Sequence, residues 1–362
     1  MPDMKLGIGL YKNMLNRQHF QFARQCGCTH VIIHLANYYT GDDKSIVTAT
    51  DEKHNYGVSV AHDPIWELDN LKALCAMARE EGVEVYGIEN FDPADWYDVL
   101  LDGPERARQI EYCKSIISNC GKAGIRAFGY NFSLAGVWGH QKRRTAARGR
   151  AISSCFDASL LDVNSPIPDG QVWNMTYRAG DGTFMPPVTQ DELWDRLHRF
   201  LDDILPVAQE SGVDMALHPD DPPYENLRGV PRLVYQPDLY QRVIDLNPSP
   251  ANKLEFCLGS LQEMTTGDLY EAIDQYGSQG RLSYVHFRNV RGKIPCYDEV
   301  FIDEGDIDML RVLQQLKDLE FDGVLIPDHT PLMDCAGPWD AGMAFALGYM
   351  RAAFQVLERT RI

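Results

Sequence analysis

Met215-Ala216-Leu217-His218 is the first of four stretches in which a few strand-forming residues lead directly into a potential metal ligand. The others are Leu254-Glu255-Phe256-Cys257, Ser283-Tyr284-Val285-His286 and Val324-Leu325-Ile326-Pro327-Asp328. A stretch of helical character follows each. A strand followed by a helix is the repeating unit of a (β/α) barrel, in which the carboxyl ends of all strands meet on one open face. Two imidazoles, a thiolate and a carboxylate meeting there would bind a divalent metal.

Eight strand-and-helix units can be marked along the chain. They predict an α/β fold, a closed (β/α)8 TIM barrel that forms a single domain over residues 1–362. Amphipathic stretches between the strands predict helices at Leu68–Glu81, Pro104–Ala123, Asp191–Ser211 and Met309–Leu319. The predicted strands are Leu6–Leu10, His30–His34, Val83–Ile88, Ala127–Tyr130, Met215–Leu217, Leu254–Phe256, Ser283–Val285 and Val324–Ile326.

Two segments are longer than a minimal barrel needs. Residues 35–66 form a polar insertion after the second strand, and residues 133–188 form a longer one after the fourth. Both leave from the carboxyl ends of strands, so we expect them to cover the face where the metal site lies. Loops of this length in a compact domain are usually functional or disordered, and lids over the site are the favoured interpretation.

Composition and net charge exclude some classes of function and of binding partner. The chain has 362 residues, 44% of them hydrophobic, with a net charge of −18. A nucleic acid or an anionic membrane needs a basic surface, so neither is expected as a partner. The amino terminus lacks the pattern of a signal peptide, and no apolar run is long enough to span a membrane. The nine cysteines include no Cys-x-x-Cys pair. We expect reduced thiols and a cytoplasmic location.

Each ligand candidate is weak when taken singly, since most histidines are structural and most buried cysteines act as small apolar side chains. Their shared position at strand ends favours a metal site, because core packing does not require it. After His218, three prolines stiffen the loop 219–223. We expect Asp220 and Asp221 in this loop to bind substrate or to orient a ligand. A solvated acidic turn is the alternative, but it does not explain the prolines.

His329 directly follows Asp328. Adjacent residues at the end of a strand diverge, so we expect His329 to lie beside the metal rather than on it. That position suits a general acid or base acting on a bound substrate. The alternative is a loop imidazole at the surface.

Further substrate-binding candidates follow other strands. Arg288 comes two residues after His286, and its guanidinium is a natural bidentate partner for a substrate carboxylate. Glu89 and Asn131, after the third and fourth strands, point to the same face with a weaker signal. His30 and His34 both lie in the second strand, and the sequence does not show which of them faces inward.

Four motifs resemble the mannonate dehydratase family, sugar-acid lyases of hexuronate catabolism. They are the segments 218–223 (His-Pro-Asp-Asp-Pro-Pro), 256–260 (Phe-Cys-x-Gly-Ser), 285–290 (Val-His-Phe-Arg-Asn-Val) and 327–329 (Pro-Asp-His), with weaker likeness at 130–132 and 346–348. The resemblance implies a xylose-isomerase-like TIM barrel that binds Mn²⁺, and it gives His329 a part in the reaction. It implies that the metal ligands are His218, Cys257, His286 and Asp328. On ligand softness alone the same set also suits Fe²⁺ or Zn²⁺.

The chain departs from the family in three places: the loop at 137–145, the shorter segment 301–306 and one catalytic position. The family has a catalytic Tyr shortly before the Ala-Leu-Gly motif, but Cys335–Phe345 contains no Tyr, and Trp339 or Asp340 lies nearest. Asp340, Glu304 or a water on the metal is therefore expected to take the second proton-transfer role. D-mannonate itself is expected to be a poor substrate.

The predicted function is removal of water from a small anionic sugar acid to give a 2-keto-3-deoxy acid, by a homo-oligomeric enzyme. One alternative is a metal-dependent sugar isomerase or epimerase on a similar barrel, which would move a proton without losing water. Another is a barrel that only binds a sugar acid. A pure binder has no need for a metal beside an imidazole, so an enzyme is favoured.

Overall fold

In a computed structural model, which describes residues 4–36, 38 and 59–359, eight parallel strands close into a barrel. The predicted fold class is confirmed. Consecutive strands pair around the ring, and the eighth strand closes it by pairing with both the first and the seventh. The barrel strands, numbered in chain order, are β1 Lys5–Leu10, β2 His30–His34, β3 Glu84–Glu89, β4 Ala127–Tyr130, β5 Asp214–Leu217, β6 Asn252–Cys257, β7 Leu282–His286 and β8 Val324–Ile326.

Ten α-helices accompany the strands in the described residues. All four predicted helices are present with shifts of one or two residues at their ends, while α3 and α7 are short additions that the sequence analysis did not predict. None of these helices is long and apolar enough to cross a membrane. The helices are α1 Arg17–Gln25, α2 Leu68–Glu80, α3 Pro93–Leu101, α4 Arg106–Ala123, α5 Gln190–Ser211, α6 Leu239–Leu246, α7 Leu258–Glu263, α8 Leu269–Ser278, α9 Met309–Asp318 and α10 Pro338–Arg359.

The interior of the barrel explains why polar residues collect at one end. Side chains alternate along a strand, so every second residue points inward. A buried inner layer includes Ile32, Ala216, Tyr284 and Ile326. The residues two positions later on the same chain segments, His34, His218, His286 and Asp328, therefore form the next layer towards the carboxyl ends, where the barrel opens.

The two insertions differ in what the structure describes. Residues 37 and 39–58 of the first lie outside the described part of the chain, and the predicted lid there falls largely on them. The second insertion contributes four strands, of which Gln171–Val172 and Met175–Thr176 form a small sheet of their own. The other two are Gln141–Arg144 and Ile152–Asp157. They pair with a hairpin that follows β7, Asn289–Lys293 and Cys296–Val300, in one antiparallel sheet. This four-stranded unit, the mouth sheet, lies at the carboxyl ends of the barrel strands.

Candidate metal centre and active site

A cavity opens at the carboxyl ends of the barrel strands. Polar strand-end residues form its floor, and side chains of the second insertion form part of its wall. The lining residues that follow or end barrel strands include His34, Glu89, Asn131, His218, His286, Asp328 and His329, and those from the insertion include His140, Lys142, Ser154 and Trp173.

Three predicted ligands meet at this floor. His218, Cys257 and His286 offer donor atoms that all lie within 4.8 Å of one another. Nδ1 of His218 lies 2.5 Å from the carbonyl oxygen of Pro219, which leaves Nε2 for a metal. Burial opposes ionisation of the Cys257 thiol, but Arg288 and the two imidazoles outweigh it and hold the pKa of this thiol well below its usual value. A thiolate beside two imidazoles is a donor set that divalent metals take.

His286 is oriented by carboxylates. Its Nε2 lies 2.9 Å from Oε1 of Glu89 and 3.1 Å from Oε1 of Glu255. Its Nδ1 is buried and makes no hydrogen bond within the described residues, although Oδ2 of Asp328 is 3.4 Å away. Asp328 has a left-handed backbone with φ of 59°, which costs a non-glycine residue about 1–2 kcal/mol. An orphaned ring nitrogen near a carboxylate fits a divalent cation as the shared partner of the four predicted ligands.

A pair of glutamates lies beneath His286. Glu89, Glu255 and His286 also place donor atoms within 4.8 Å of one another. Burial and then the neighbouring Glu89 carboxylate raise the pKa of Glu255 to about 8, so a proton on Glu255 lets the two acids pack together. Gly129 on β4 makes room for this arrangement, because a Cβ there would overlap with Oη of Tyr284 and Oε2 of Glu255.

Arg288 lies below the cavity, which corrects the prediction that it binds the substrate. Its Nη1 lies 2.8 Å from Oε1 of Glu263 and 3.2 Å from Oε1 of Glu299. Its Nη2 donates to Asp221, and its Nε is 3.3 Å from Oδ2 of Asp328. With the side chain 2% exposed, the guanidinium is enclosed by carboxylates. Arg288 is therefore a positioning residue for the floor of the site.

The two aspartates of the proline-rich loop have different surroundings. Asp221 lines the cavity, where its Oδ1 accepts a hydrogen bond of 2.8 Å from the hydroxyl of Tyr297 and lies 3.0 Å from Nε2 of His140. Asp220 turns away, and its Oδ2 accepts a hydrogen bond of 2.7 Å from the backbone N–H of Leu233. Asp220 thus ties the loop to the following segment, and only Asp221 is placed to meet a substrate.

His329 lines the cavity beside Asp328, as expected of a proton-transfer group. Its Nδ1 lies 2.9 Å from Oε1 of Glu299, a residue of the mouth sheet. A carboxylate on Nδ1 fixes the ring and leaves Nε2 as the atom that can exchange a proton. Asn131 lines the same cavity.

Asp340 and Glu304 do not line the cavity, which corrects their prediction as acid–base residues. Asp340 is exposed in the first turn of α10, where its charge acts on His19 and Cys26 near α1. Oε1 of Glu304 accepts a hydrogen bond of 2.8 Å from the backbone N–H of Arg148 and so links two loops. At the position of the missing Tyr, Trp339 and Met343 line a small cavity next to His329.

The structure settles the open choice between two histidines and adds residues that the sequence analysis missed. His34 lines the cavity, whereas His30 lies at the start of β2, 3.9 Å from Glu84. Glu255 had a usable signal, because it lies two residues before Cys257 and so faces the same way on the strand. The other missed residues reach the site only through the folding of the insertion and the hairpin, for which no local signal exists. They are His140, Lys142, Tyr297 and Glu299.

The sequence matches the family described as D-mannonate dehydratase (UxuA) over residues 29–177 and 183–359. The chain belongs to this family. A mannonate dehydratase from Streptococcus suis is 31% identical over 296 residues, covering 79% of this chain and 78% of the relative. One from Oceanobacillus iheyensis is 28% identical over 303 residues, covering 79% and 84%.

Solved structures agree with this assignment. The mannonate dehydratase from S. suis serotype 2 superposes with a TM-score of 0.78 at 26% identity, covering 99% of this chain and 95% of that one. An L-ribulose 3-epimerase has a TM-score of 0.58 at 14% identity, with coverage of 98% and 96%, and shares the fold alone. Membership of the D-mannonate dehydratase family therefore makes this chain an enzyme, a hydro-lyase of the sugar-acid dehydratase kind, and disfavours the epimerase alternative. It also implies a divalent metal, which the donor set fits.

Proposed function

We propose that this enzyme removes water from an aldonic acid to give a 2-keto-3-deoxy acid. The observation that carries the proposal is that His218, Cys257 and His286 bring donor atoms within 4.8 Å of one another at an open cavity, with Oδ2 of Asp328 3.4 Å from Nδ1 of His286. Membership of a family of sugar-acid dehydratases supports it. The curated relatives are named mannonate dehydratases, so hexonic acids with the stereochemistry of D-mannonate and its epimers are the substrates to consider first.

The four residues would hold Mn²⁺, the ion that the resemblance implies, although a site with a thiolate and two imidazoles also suits Fe²⁺ or Zn²⁺. When bound, the ion would supply Lewis acidity to the α-hydroxy carboxylate of the substrate. Glu89 and Arg288 orient its ligands from beneath, Glu89 through His286 and Arg288 through Asp328.

The remaining side chains of the cavity supply proton transfer and substrate binding. With Nδ1 held by Glu299, Nε2 of His329 is placed to take the proton from C2. The C3–O bond then breaks, the hydroxyl leaves as water with the proton that His329 has taken, and the enol product tautomerises to the keto acid. A positioned base of this kind contributes about 10²–10⁴-fold to the rate. Asn131 and Asp221 are placed to bind substrate hydroxyls, and the mouth sheet covers one side of the cavity against water.

A product assay tests this proposal directly. Purified enzyme loaded with Mn²⁺, Fe²⁺ or Zn²⁺ in separate samples is incubated with a panel of aldonic acids, and products are followed by mass spectrometry. We expect at least one acid to lose water and to give a 2-keto-3-deoxy acid. A product of unchanged mass would instead indicate an isomerase or epimerase.

The same panel addresses the missing Tyr. Because Trp339 and Met343 lie beside His329 where the family has its Tyr, we expect D-mannonate to be dehydrated more slowly than another hexonic or pentonic acid. Turnover on D-mannonate, its epimers and pentonic acids gives the comparison. Fast and selective dehydration of D-mannonate would show that another residue has replaced the Tyr without a change of substrate.

A further inference from the structure

The cavity is strongly acidic for a site that receives an anion. The carboxylates of Glu89, Asp221 and Asp328 all line it. The cation proposed at the floor would offset part of this negative charge. A further positive charge at the wall would attract a substrate carboxylate, because charges interact strongly where water is scarce. Within the described lining, Lys142 is the one lysine or arginine side chain.

Two nearby arginines lie outside the cavity. Arg288 is enclosed by carboxylates beneath the floor, as described above. Arg232 is fully buried, with Nε 3.0 Å from Oδ1 of Asp220 and Nη1 2.7 Å from the carbonyl oxygen of Gly136. Neither guanidinium lines the cavity, so neither is placed to take the substrate carboxylate.

The mouth sheet delivers Lys142 to the wall of the cavity. Lys142 pairs with Ser154 on the neighbouring strand, and both residues line the cavity. The next two residues on the strand, Arg143 and Arg144, contact groups outside the cavity. Nε of Arg143 lies 3.0 Å from Sγ of Cys155, and Nη1 of Arg144 lies 3.3 Å from Oδ2 of Asp334 at the surface.

Lys142 is half-buried, with the carboxylates of Glu299 and Asp328 among the charges that act on it. Burial lowers the pKa of its ammonium, while the carboxylates of Glu299 and Asp328 oppose that shift. Lys142 also lines the small cavity beside His329, so it lies on the same side of the site as the proposed proton-transfer group.

We propose that Lys142 binds the carboxylate of the substrate and selects an aldonic acid over a neutral sugar. The inference rests on the proposed function and deepens it, since it names the residue that recognises the acid. A charge-assisted hydrogen bond in a partly buried site is strong, and its loss weakens binding by about ten- to hundredfold. Lys142 takes the role that sequence analysis gave to Arg288, and it does so from the insertion rather than from a barrel strand.

The first test compares steady-state kinetics of Lys142→Met, Lys142→Arg and Arg144→Met. Arg144→Met is the matched control, because it removes a cation from the same strand outside the cavity. We expect KM for the best aldonic acid to rise about ten- to hundredfold in Lys142→Met, with a much smaller change in kcat, and to recover in large part in Lys142→Arg. Arg144→Met should behave as the wild type. An unchanged KM in a folded Lys142→Met would overturn the proposal.

The second test does not depend on turnover. A 3-deoxyaldonic acid lacks the leaving hydroxyl, and its amide is a neutral match of the same shape. Calorimetric titration of both into metal-loaded enzyme should show that the wild type prefers the acid and that Lys142→Met loses this preference, at equal metal content. If wild-type enzyme dehydrates no aldonic acid, the proposed function fails, yet this titration still tests Lys142. Equal preference for the acid in wild type, Lys142→Met and Lys142→Gln would refute the role.

Discussion

At the scale of single residues, the site depends on buried ionised groups that are stable only next to groups of opposite charge. Cys257 is buried, yet its thiolate is held by Arg288 and two imidazoles. Asp328 lies between Arg288 and His286 at distances of 3.3 and 3.4 Å. Removing any one partner leaves another charge buried and unpaired, which is costly. Substitutions that remove Arg288 or Asp328 are therefore expected to lower stability together with function.

Cys257→Ser is expected to lose most of its bound metal while the fold stays intact. A serine hydroxyl remains protonated at neutral pH, whereas the thiolate is an anionic ligand. Metal content after dialysis, with circular dichroism for the fold, is the measurement. Cys120→Ser is the control, since Cys120 is equally buried but lies in α4. Full metal occupancy and activity in Cys257→Ser would make Cys257 a packing residue.

His329→Asn is expected to lower turnover by two or more orders of magnitude at unchanged metal content, because an amide cannot exchange a proton with the substrate. Rates and metal content are measured on the same preparation. His30→Asn changes a histidine at the opposite end of the barrel and should have little effect on the rate. Parallel loss of metal from His329→Asn would indicate a ligand instead, and an unchanged rate would exclude His329 from the reaction.

At the scale of elements, close packing between α7 and the segment after β7 holds Arg288 in place. Gly259 in α7 has no side chain to obstruct the guanidinium, and a Cβ there would lie 2.5 Å from Cζ and Nη1 of Arg288. The roles of its residues in metal binding and packing thus account for the Phe-Cys-x-Gly-Ser motif. Its Cys257 belongs to the metal site, its Gly259 makes room for the positioning arginine, and the Ser260 hydroxyl lies 3.1 Å from Nη2 of that arginine.

Gly259→Ala is therefore expected to displace Arg288, to lower the melting temperature and to weaken metal retention. Gly348→Ala is the matched control, since Gly348 is an exposed glycine inside α10 and a Cβ added to it would have nothing within 4 Å. Alanine there should stabilise the protein by about 0.5–1 kcal/mol, as expected in a helix interior. Thermal melting and metal analysis of both variants test whether Gly259 makes room for Arg288. Similar behaviour of the two alanines would argue against the packing role of Gly259.

At the scale of the whole molecule, the metal site joins segments that are far apart in sequence. Its four proposed ligands follow or end four different strands, and the mouth sheet anchors Asp221 and His329 through Tyr297 and Glu299. A cation bound only by the folded chain stabilises that chain by mass action, by about 2.7 kcal/mol at a concentration one hundred times its dissociation constant.

Removal of the metal is thus expected to lower the melting temperature of the wild type by several degrees. Calorimetric melting before and after treatment with a chelator, and again after re-addition of Mn²⁺, measures the effect. Cys257→Ser should respond much less to the same treatment. Identical melting of chelated and loaded wild-type protein would show that the site does not hold a cation that matters for the fold.

Much of the fold could be predicted from the sequence because the patterns that indicate strands and helices are local. Alternation and apolar runs mark strands, amphipathic stretches mark helices, and their eightfold succession predicts a closed barrel. The candidate ligands were found for the same reason, since strand ends in this fold must meet on one face. The three donors that the structure brings within 4.8 Å come from segments whose boundaries could be read in this way.

Other features were decided by the tertiary structure alone. Arg288 follows a candidate ligand by two residues, but carboxylates from distant segments converge on it and take it out of the cavity. The turn from β8 into α10 directs Asp340 towards α1. The mouth sheet, formed by pairing across more than one hundred residues, carries Lys142 to the cavity wall. The sequence by itself determined the barrel and the residues at its strand ends, because these follow from local periodicity. Only long-range packing decided which polar side chains face the cavity and which support it from behind.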